Sequence, residues 1–357
     1  MIKKKVLIFT DAFSGGGAEE VMKQFATELR QDFEVLHICK WLGPKQMILQ
    51  ENMINLNKRS SKECLPSLYK IVKVFKPDFI FSSTGHNNMI VLLLKLFLIN
   101  KSKVIIRESS VASAMKNYSF KSKALDFLLM RPLYKTADAI IAQSKDIATD
   151  LKEVYKLPKE KIVIINNPIG KDLMKFTGPD NGTIKLLTIG RFSPEKGYDR
   201  LLKILQKLPN YYTLQIMGDG LLLKQTKQKG KELGVADRLT FLGFLDEVEK
   251  LKVMHAADLY IQASYVEGFP NSLLQSVAMG LPVVAFDVPG GTREIIKEIN
   301  GCLVKDGEID LMVQFIKEIN LKEYDSILMQ KDALERFGIS KIMKDLRQVF
   351  NKLSNGK

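Results

Sequence analysis

Two consecutive doubly wound α/β domains are the fold class this sequence predicts. Short runs rich in β-branched and aromatic residues alternate with longer amphipathic stretches along the whole chain, which is the pattern of βαβ units around parallel sheets. The 357 residues suffice for two cores at about 150 residues each. Turn-forming residues, Asn166-Asn167-Pro168-Ile169-Gly170 and then Gly178-Pro179-Asp180-Asn181-Gly182, interrupt the alternation near the middle and mark the boundary.

Taken in order, the first half offers strands at Val6–Thr10, Phe33–Ile38, Phe79–Ser82, Val104–Arg107, Ala139–Ala142 and Ile162–Ile165. The opening Lys3-Lys4-Lys5-Val6-Leu7-Ile8-Phe9-Thr10 has a basic head, but its apolar run stops at Asp11 and has no small-residue cleavage site, so it is assigned as a strand rather than a leader. Val21, Phe25 and Leu29 then recur at four-residue spacing, a helical period. In the second half the strands are expected at Ile184–Ile189, Thr213–Met217, Leu239–Leu242, Leu259–Ala263, Pro282–Ala285 and Cys302–Val304. A final helical stretch over roughly 325–353 is long enough to return to the first domain. The expected domains are 1–168 and 169–335, with 336–357 as the returning helix. Such sheets bind ligands at the carboxyl ends of their strands, so two of them facing a central cleft would hold two ligands.

Composition narrows the class. With 46% hydrophobic and 26% charged residues the chain is an ordinary globular protein, not a disordered, collagenous or disulfide-stapled one. The formal charge of +14 implies an anionic partner or a lysine-rich surface. The excess is uneven: residues 1–170 hold 27 basic and 16 acidic side chains, and residues 171–357 hold 27 and 24. Three scattered cysteines, Cys39, Cys64 and Cys302, argue against disulfides or zinc and for a reducing cytoplasm. The longest apolar run, Met89 to Ile99, is broken by Lys95 and falls short of the roughly 20 residues a membrane span needs.

Three motifs carry chemistry. Ser14-Gly15-Gly16-Gly17-Ala18-Glu19 follows the first strand and opens a helix, where free N–H groups and the helix dipole favour phosphate. It is neither GxGxxG nor a P-loop. Gly190-Arg191-Phe192-Ser193-Pro194-Glu195-Lys196-Gly197 follows another strand, and its two cations can both address one diphosphate, Arg with a planar fork and Lys as a point charge. The third motif runs Glu267-Gly268-Phe269-Pro270-Asn271-Ser272-Leu273-Leu274-Gln275, with Asn271 or Ser272 expected to cap a helix that ends at Gly280. One carboxylate beside several unpaired N–H groups suits a sugar diphosphate. Gly218-Asp219-Gly220 and Phe241-Leu242-Gly243-Phe244 fall at two further strand ends, where a base and ribose would lie.

In this order and over nearly the whole chain, GGGAE at 15–19, GRFSPEKG at 190–197, GDG at 218–220, FLGF at 241–244, EGFPNSLLQSVAMGLPVVA at 267–285 and GGTREI at 290–295 resemble the retaining glycosyltransferases of family 4. Enzymes of bacterial surface polysaccharides and teichoic acids are the subgroup it is most similar to. The resemblance implies the two-domain GT-B fold. It implies transfer of a sugar from a nucleotide donor, most often UDP-GlcNAc, UDP-GalNAc, UDP-Gal or UDP-Glc, to a glycan or polyprenyl-linked acceptor with retention of configuration. It assigns catalytic roles to Arg191 and Lys196, on the donor diphosphate, and to Glu267, on the sugar hydroxyls. Donor contacts are expected from Gly16, Gly17, Gly190, Gly218, Asp219, Phe244, Phe269, Pro270, Asn271, Ser272, Leu273 and Gln275.

Two departures stand out. The family's Glu-x7-Glu pattern is here Glu267-x7-Gln275, so the second carboxylate, which in the family binds the ribose hydroxyls, is an amide with weaker hydrogen bonds. The histidine often found after the fourth strand is replaced by Arg107-Glu108-Ser109-Ser110. Glu108 and Ser109, with His86 and Asn87 after another strand, are the candidates for acceptor binding. The chain has no Asp-x-Asp, so metal-independent chemistry without a cofactor is expected, the cations and helix N-termini stabilising the leaving group. The segment Met115–Arg131 mixes cations with large apolar residues as an interfacial element does. Peripheral attachment of a cytoplasmic protein to the inner leaflet of an anionic membrane, through the basic N-terminal domain, follows as an expectation. Nucleic acid is not an expected partner, since no recognition module is present. The alternative reading is a nonenzymatic homologue that binds a nucleotide sugar or stabilises a partner.

Overall fold

A computed structural model describes residues 3–13, 17–42, 52–97, 102–116, 118, 130–170 and 182–355. The chain forms two compact units. The first comprises Met1–Ser113, Phe120–Asn167 and Ile342–Lys357, and the second Ala114–Ser119 and Pro168–Lys341.

The first unit is built on a seven-stranded parallel sheet in the order β3-β2-β1-β4-β5-β6-β7. Its strands are β1 (Lys5–Phe13), β2 (Glu34–Leu42), β3 (Met53–Asn55), β4 (Phe79–Ser83), β5 (Lys103–Glu108), β6 (Ala139–Ala142) and β7 (Ile162–Ile164). The expected strands are present, and β3 is additional. It has only three residues, none of them buried, which leaves no alternation to detect. β1 and β4 are buried on both faces, with Val6 to Phe9 and Phe79 to Phe81 at most 1% exposed, as central parallel strands require. The helix Gly17–Leu29 turns Val21, Met22, Phe25 and Leu29 inward.

The C-terminal helix Ile339–Ser354 brings Phe350 onto this core, its ring 5.0 Å from Phe79 and 5.2 Å from Phe33. Arg347 anchors the same helix at Asp32, 2.6 Å away. The chain therefore crosses back to its first unit as expected. The single expected helix over 325–353 is two, Ser326–Phe337 and Ile339–Ser354. At the break, Ile169 N–H donates to Phe337 and Ile339 N–H donates to Ile169, so the turn between the helices is pinned inside the second unit.

The second unit holds a six-stranded parallel sheet in the order β10-β9-β8-β11-β12-β13. The strands are β8 (Ile184–Ile189), β9 (Tyr212–Met217), β10 (Leu239–Gly243), β11 (Leu259–Gln262), β12 (Val283–Asp287) and β13 (Gly301–Lys305). Leu201, Leu202, Leu205 and Tyr212 belong to a core on one face of the sheet, and Leu273, Leu274 and Val277 to a core on the other. The strand order reverses between β8 and β11, which pair in register at Leu186 with Leu259 and Leu187 with Tyr260. The polypeptide leaves these two neighbours in opposite directions and opens a crevice at their carboxyl ends.

Candidate active site

Both chemistry-bearing loops of the second unit spring from that crevice. After β8 the chain passes through Gly190 and Arg191 into the short 3-10 turn Pro194–Lys196. Gly197 closes the turn with φ 65°, a left-handed conformation that glycine adopts without strain. A Cβ there would collide with the carbonyl of Ala263, just past β11, so this glycine sets how closely the turn approaches the neighbouring strand end. After β11 the chain reaches Ser264 and Glu267, and the Glu267 N–H donates to Pro289 at 2.9 Å. Gly290, at φ 131°, lets the backbone approach Glu267 where any side chain would clash.

The two loops meet through side chains. Lys196 Nζ lies 2.8 Å from both carboxylate oxygens of Glu267, and Ser264 Oγ donates to Oε1 at 2.6 Å. The Glu267 side chain is 8% exposed and that of Lys196 24%. Arg191 sits differently: its side chain is 72% exposed, with one guanidinium nitrogen 3.3 Å from the nearly buried Glu195. Ser193 Oγ holds the same Glu195 oxygen at 2.5 Å. Tyr198 and Tyr260 flank the crevice, donating to the carbonyls of Gly190 (2.7 Å) and Ile189 (3.4 Å). Burial, with the nearby Glu267 charge contributing, holds both phenols protonated well above their ordinary range. The sequence motifs therefore assemble two cations and a carboxylate at one strand-end crevice.

The other expected donor residues surround this centre. Phe192 N–H donates to Asp219, Gly190 N–H to Met217 and Gly218 N–H to Gly243, a ladder that ties three strand-end turns together. Asp219 is exposed, its Oδ1 accepting from Gly220 at 2.7 Å, and Phe244 is 46% exposed. The helix of the third motif runs Asn271–Ala278 and its N-cap is Pro270, not Asn271 or Ser272. Proline has no side-chain acceptor, so the N-cap residue makes no side-chain cap bond at this N-terminus, the positive end of the helix dipole, four residues past Glu267. Phe269 and Leu273 are buried, Phe269 packing edge-on against Phe337 at 5.5 Å, so the loop offers backbone rather than ring or alkyl groups. Gln275 Nε2 donates to Glu247 Oε1 at 3.0 Å.

In the first unit, Ser14, Gly15 and Gly16 lie outside the described residues, and Gly17 begins its helix. His86 is exposed in the first turn of the helix Gly85–Phe97. Its neighbour Asn87 is fully buried, accepting from Ser61 at 2.9 Å and donating to the Ser83 carbonyl at 3.3 Å. Glu108 is also buried: Tyr134 donates to Oε2 at 2.8 Å, and the Ser109 N–H and Ser110 hydroxyl donate to Oε1 at 3.1 and 3.4 Å. Burial raises its pKa. His86, then, is presented at this strand end, whereas Asn87 and Glu108 are engaged within the fold. Arg107, entirely buried, donates to Ser83 and Asn167, and desolvation lowers its pKa to about 9. Of the segment 115–131, residues 117 and 119–129 lie outside the described residues. In Met89–Ile99, Ile90, Val91, Leu92 and Leu94 are buried while Leu96 and Phe97 are exposed. No helix among the described residues is long and apolar enough to cross a membrane.

Sequence reasoning missed three contributors. Glu195 stands inside a motif already recognised, and its spacing of four from Arg191 signals an ion pair. Ser264 has no sequence signal beyond its place at a strand end. Glu247 opens the helix Glu247–Ala256, which the capping box Asp246 to Glu249 announces.

Two doubly wound units, one with paired cations and a carboxylate at its switch point, define a GT-B glycosyltransferase. Residues 15–172 match Glycosyltransferase Family 4 and residues 171–333 match Glycosyl transferases group 1, so the chain carries these two glycosyltransferase domains. It is 26% identical to a Campylobacter jejuni enzyme, N-acetylgalactosamine-N,N'-diacetylbacillosaminyl-diphospho-undecaprenol 4-alpha-N-acetylgalactosaminyltransferase, over 93% of this chain and 92% of that one. Lipopolysaccharide 1,6-galactosyltransferase of Escherichia coli is 24% identical, over 85% and 86%. Among solved structures, sucrose-phosphate synthase from Thermosynechococcus elongatus superposes with a TM-score of 0.84 at 17% identity, covering 99% of this chain and all of that one. Anabaena HepE in complex with UDP gives 0.79 at 21% identity, covering 98% and 100%.

Proposed function

We propose that this glycosyltransferase is a retaining, metal-independent hexosyltransferase. Its donor is a UDP-sugar and its acceptor a lipid-linked or surface glycan of the bacterial cell envelope. The observation that carries the reading is the convergence of Arg191, Lys196 and Glu267 at the β8/β11 crevice. The Campylobacter and Escherichia relatives, named for a diphospho-undecaprenol-linked and a lipopolysaccharide acceptor, support the acceptor class. The UDP complex of the Anabaena neighbour supports the base.

In this reading the bond between the sugar's anomeric carbon and the β-phosphate oxygen breaks, and its electron pair stays on the diphosphate. Arg191, Lys196 and the positive dipole end of the helix at Asn271 stabilise that charge, a task other transferases give to a metal. Glu267 accepts sugar hydroxyls and fixes the ring. The acceptor oxygen attacks from the face the phosphate leaves, and the departing phosphate takes the acceptor's proton, so configuration is retained. The basic first half would meet an anionic lipid surface, and flotation with anionic liposomes at low and high salt tests this, salt-insensitive or absent binding counting against it.

A panel of UDP-hexoses and UDP-N-acetylhexosamines with a polyprenyl-diphosphate glycan, in excess EDTA, tests the rest. The expected result is release of UDP and an α-linked product from an α-linked donor by NMR. Activity abolished by EDTA, or an inverted anomer, would refute the mechanism. Tight donor binding without turnover on any acceptor would favour a nonenzymatic binder.

A further inference from the structure

We propose that the Lys196–Glu267 pair is a selectivity switch that favours the sugar-bearing donor over the bare nucleoside diphosphate product. The proposal rests on the donor-site reading above. Lys196 is paired with Glu267, both carboxylate oxygens lying 2.8 Å from its Nζ. A diphosphate that recruits Lys196 must take it from that carboxylate. Glu267 is 8% exposed, and besides Lys196 its side chain has the Ser264 hydroxyl as donor. Removing the cation from a nearly buried carboxylate carries a desolvation cost unless other donors replace it. The hydroxyls of the transferred hexose are such donors, and a bare nucleoside diphosphate lacks them, its ribose hydroxyls lying on the far side of the diphosphate.

The donor thus exchanges one set of partners for another: phosphate for Glu267 on Lys196, and sugar hydroxyls for Lys196 on Glu267. Once the sugar has left, Glu267 keeps only the Ser264 hydroxyl until Lys196 returns, which loosens the diphosphate and favours product release. Arg191 is not part of this exchange. Its side chain is 72% exposed and bonded to the buried Glu195 through one nitrogen, so its other N–H groups can meet a phosphate with that contact kept.

Titration calorimetry of UDP, GDP and ADP against the full-length protein tests the switch. Glu267→Gln removes the competing charge, and the nucleoside diphosphate that binds wild type is expected to bind this variant about tenfold more tightly although transfer is lost. In a Lys196→Met background the same change is expected to give no gain. Ser264→Ala is an independent probe that leaves both charges in place. With one donor fewer to hold Glu267 when Lys196 departs, it is expected to weaken diphosphate binding by about threefold. Unchanged or weaker binding by a Glu267→Gln variant that melts cooperatively, a gain that persists without Lys196, or tighter binding by Ser264→Ala would each overturn the switch alone. If none of the three diphosphates binds wild type, the donor-site reading falls and the switch with it.

Discussion

Among single residues, the charges at the β8/β11 crevice and one buried histidine carry the sharpest consequences. Arg191→Ala removes an exposed cation without disturbing the core, so it is expected to fold normally and lose roughly a hundredfold or more in kcat. Steady-state release of nucleotide measures this, and full turnover would contradict the assignment. His37 behaves oppositely, as a group with no place in the site. It is 1% exposed, shares a hydrogen bond with Thr10 at 3.0 Å, and burial, reinforced by Arg30 and Lys23, holds its pKa down at about 3 instead of 6.5. The folded ring therefore stays neutral where the unfolded one takes a proton. Its contribution is complete above pH 6.5 and is lost as pH falls from 6.5 toward 3, by about 1.4 kcal/mol per pH unit. Urea unfolding at pH 7 and pH 5 checks this: His37→Asn is expected to lose less stability between the two than wild type.

The elements that position the site are turns held by glycine rather than rigid helices. The turn Pro194–Lys196 owes its approach to β11 to Gly197, whose left-handed backbone would cost an alanine roughly 1–2 kcal/mol before the collision with the Ala263 carbonyl is counted. Gly197→Ala is thus expected to lower stability and, because it displaces Lys196, to lose transfer activity beyond that loss. Activity measured well below the melting temperature separates the two effects. These turns were legible because each pairs glycine with charge after an apolar run. The start of the helix Asn271–Ala278 was misread by one residue, since Asn271 and Ser272 both favour caps and Pro270, which occupies the position, does not. The pairing of Gln275 with Glu247 was invisible, because 28 residues and a whole strand and helix separate them. Asn87 and Glu108 resemble site residues in sequence and are engaged inside the fold. A polar residue at a strand end looks the same whether it faces a ligand or a buried hydroxyl, and the partners that decide it, Ser61 and Tyr134, are 26 residues distant in each case.

Over the whole molecule, sequence periodicity revealed both sheets and the return of the C-terminal helix, because parallel strands buried on both faces leave continuous apolar runs. The three-residue edge strand β3 left no such trace. The returning helix is part of the first core: Phe350 is fully buried against Phe33, Phe79 and Phe81. Phe350→Ala is expected to destabilise that unit by about 3–5 kcal/mol, read as an early transition in differential scanning calorimetry while the second unit melts as before. On the proposed function, the second unit carries the donor machinery and the first, basic overall, is left for the acceptor. The most direct measurement of that claim is a crystal structure with an intact UDP-hexose. The account predicts the diphosphate within hydrogen-bond reach of Arg191 and Lys196 and a sugar hydroxyl on Glu267, with the Lys196–Glu267 contact broken. A nucleotide seated instead at the helix Gly17–Leu29 of the first unit, with Lys196 still on Glu267, would contradict it.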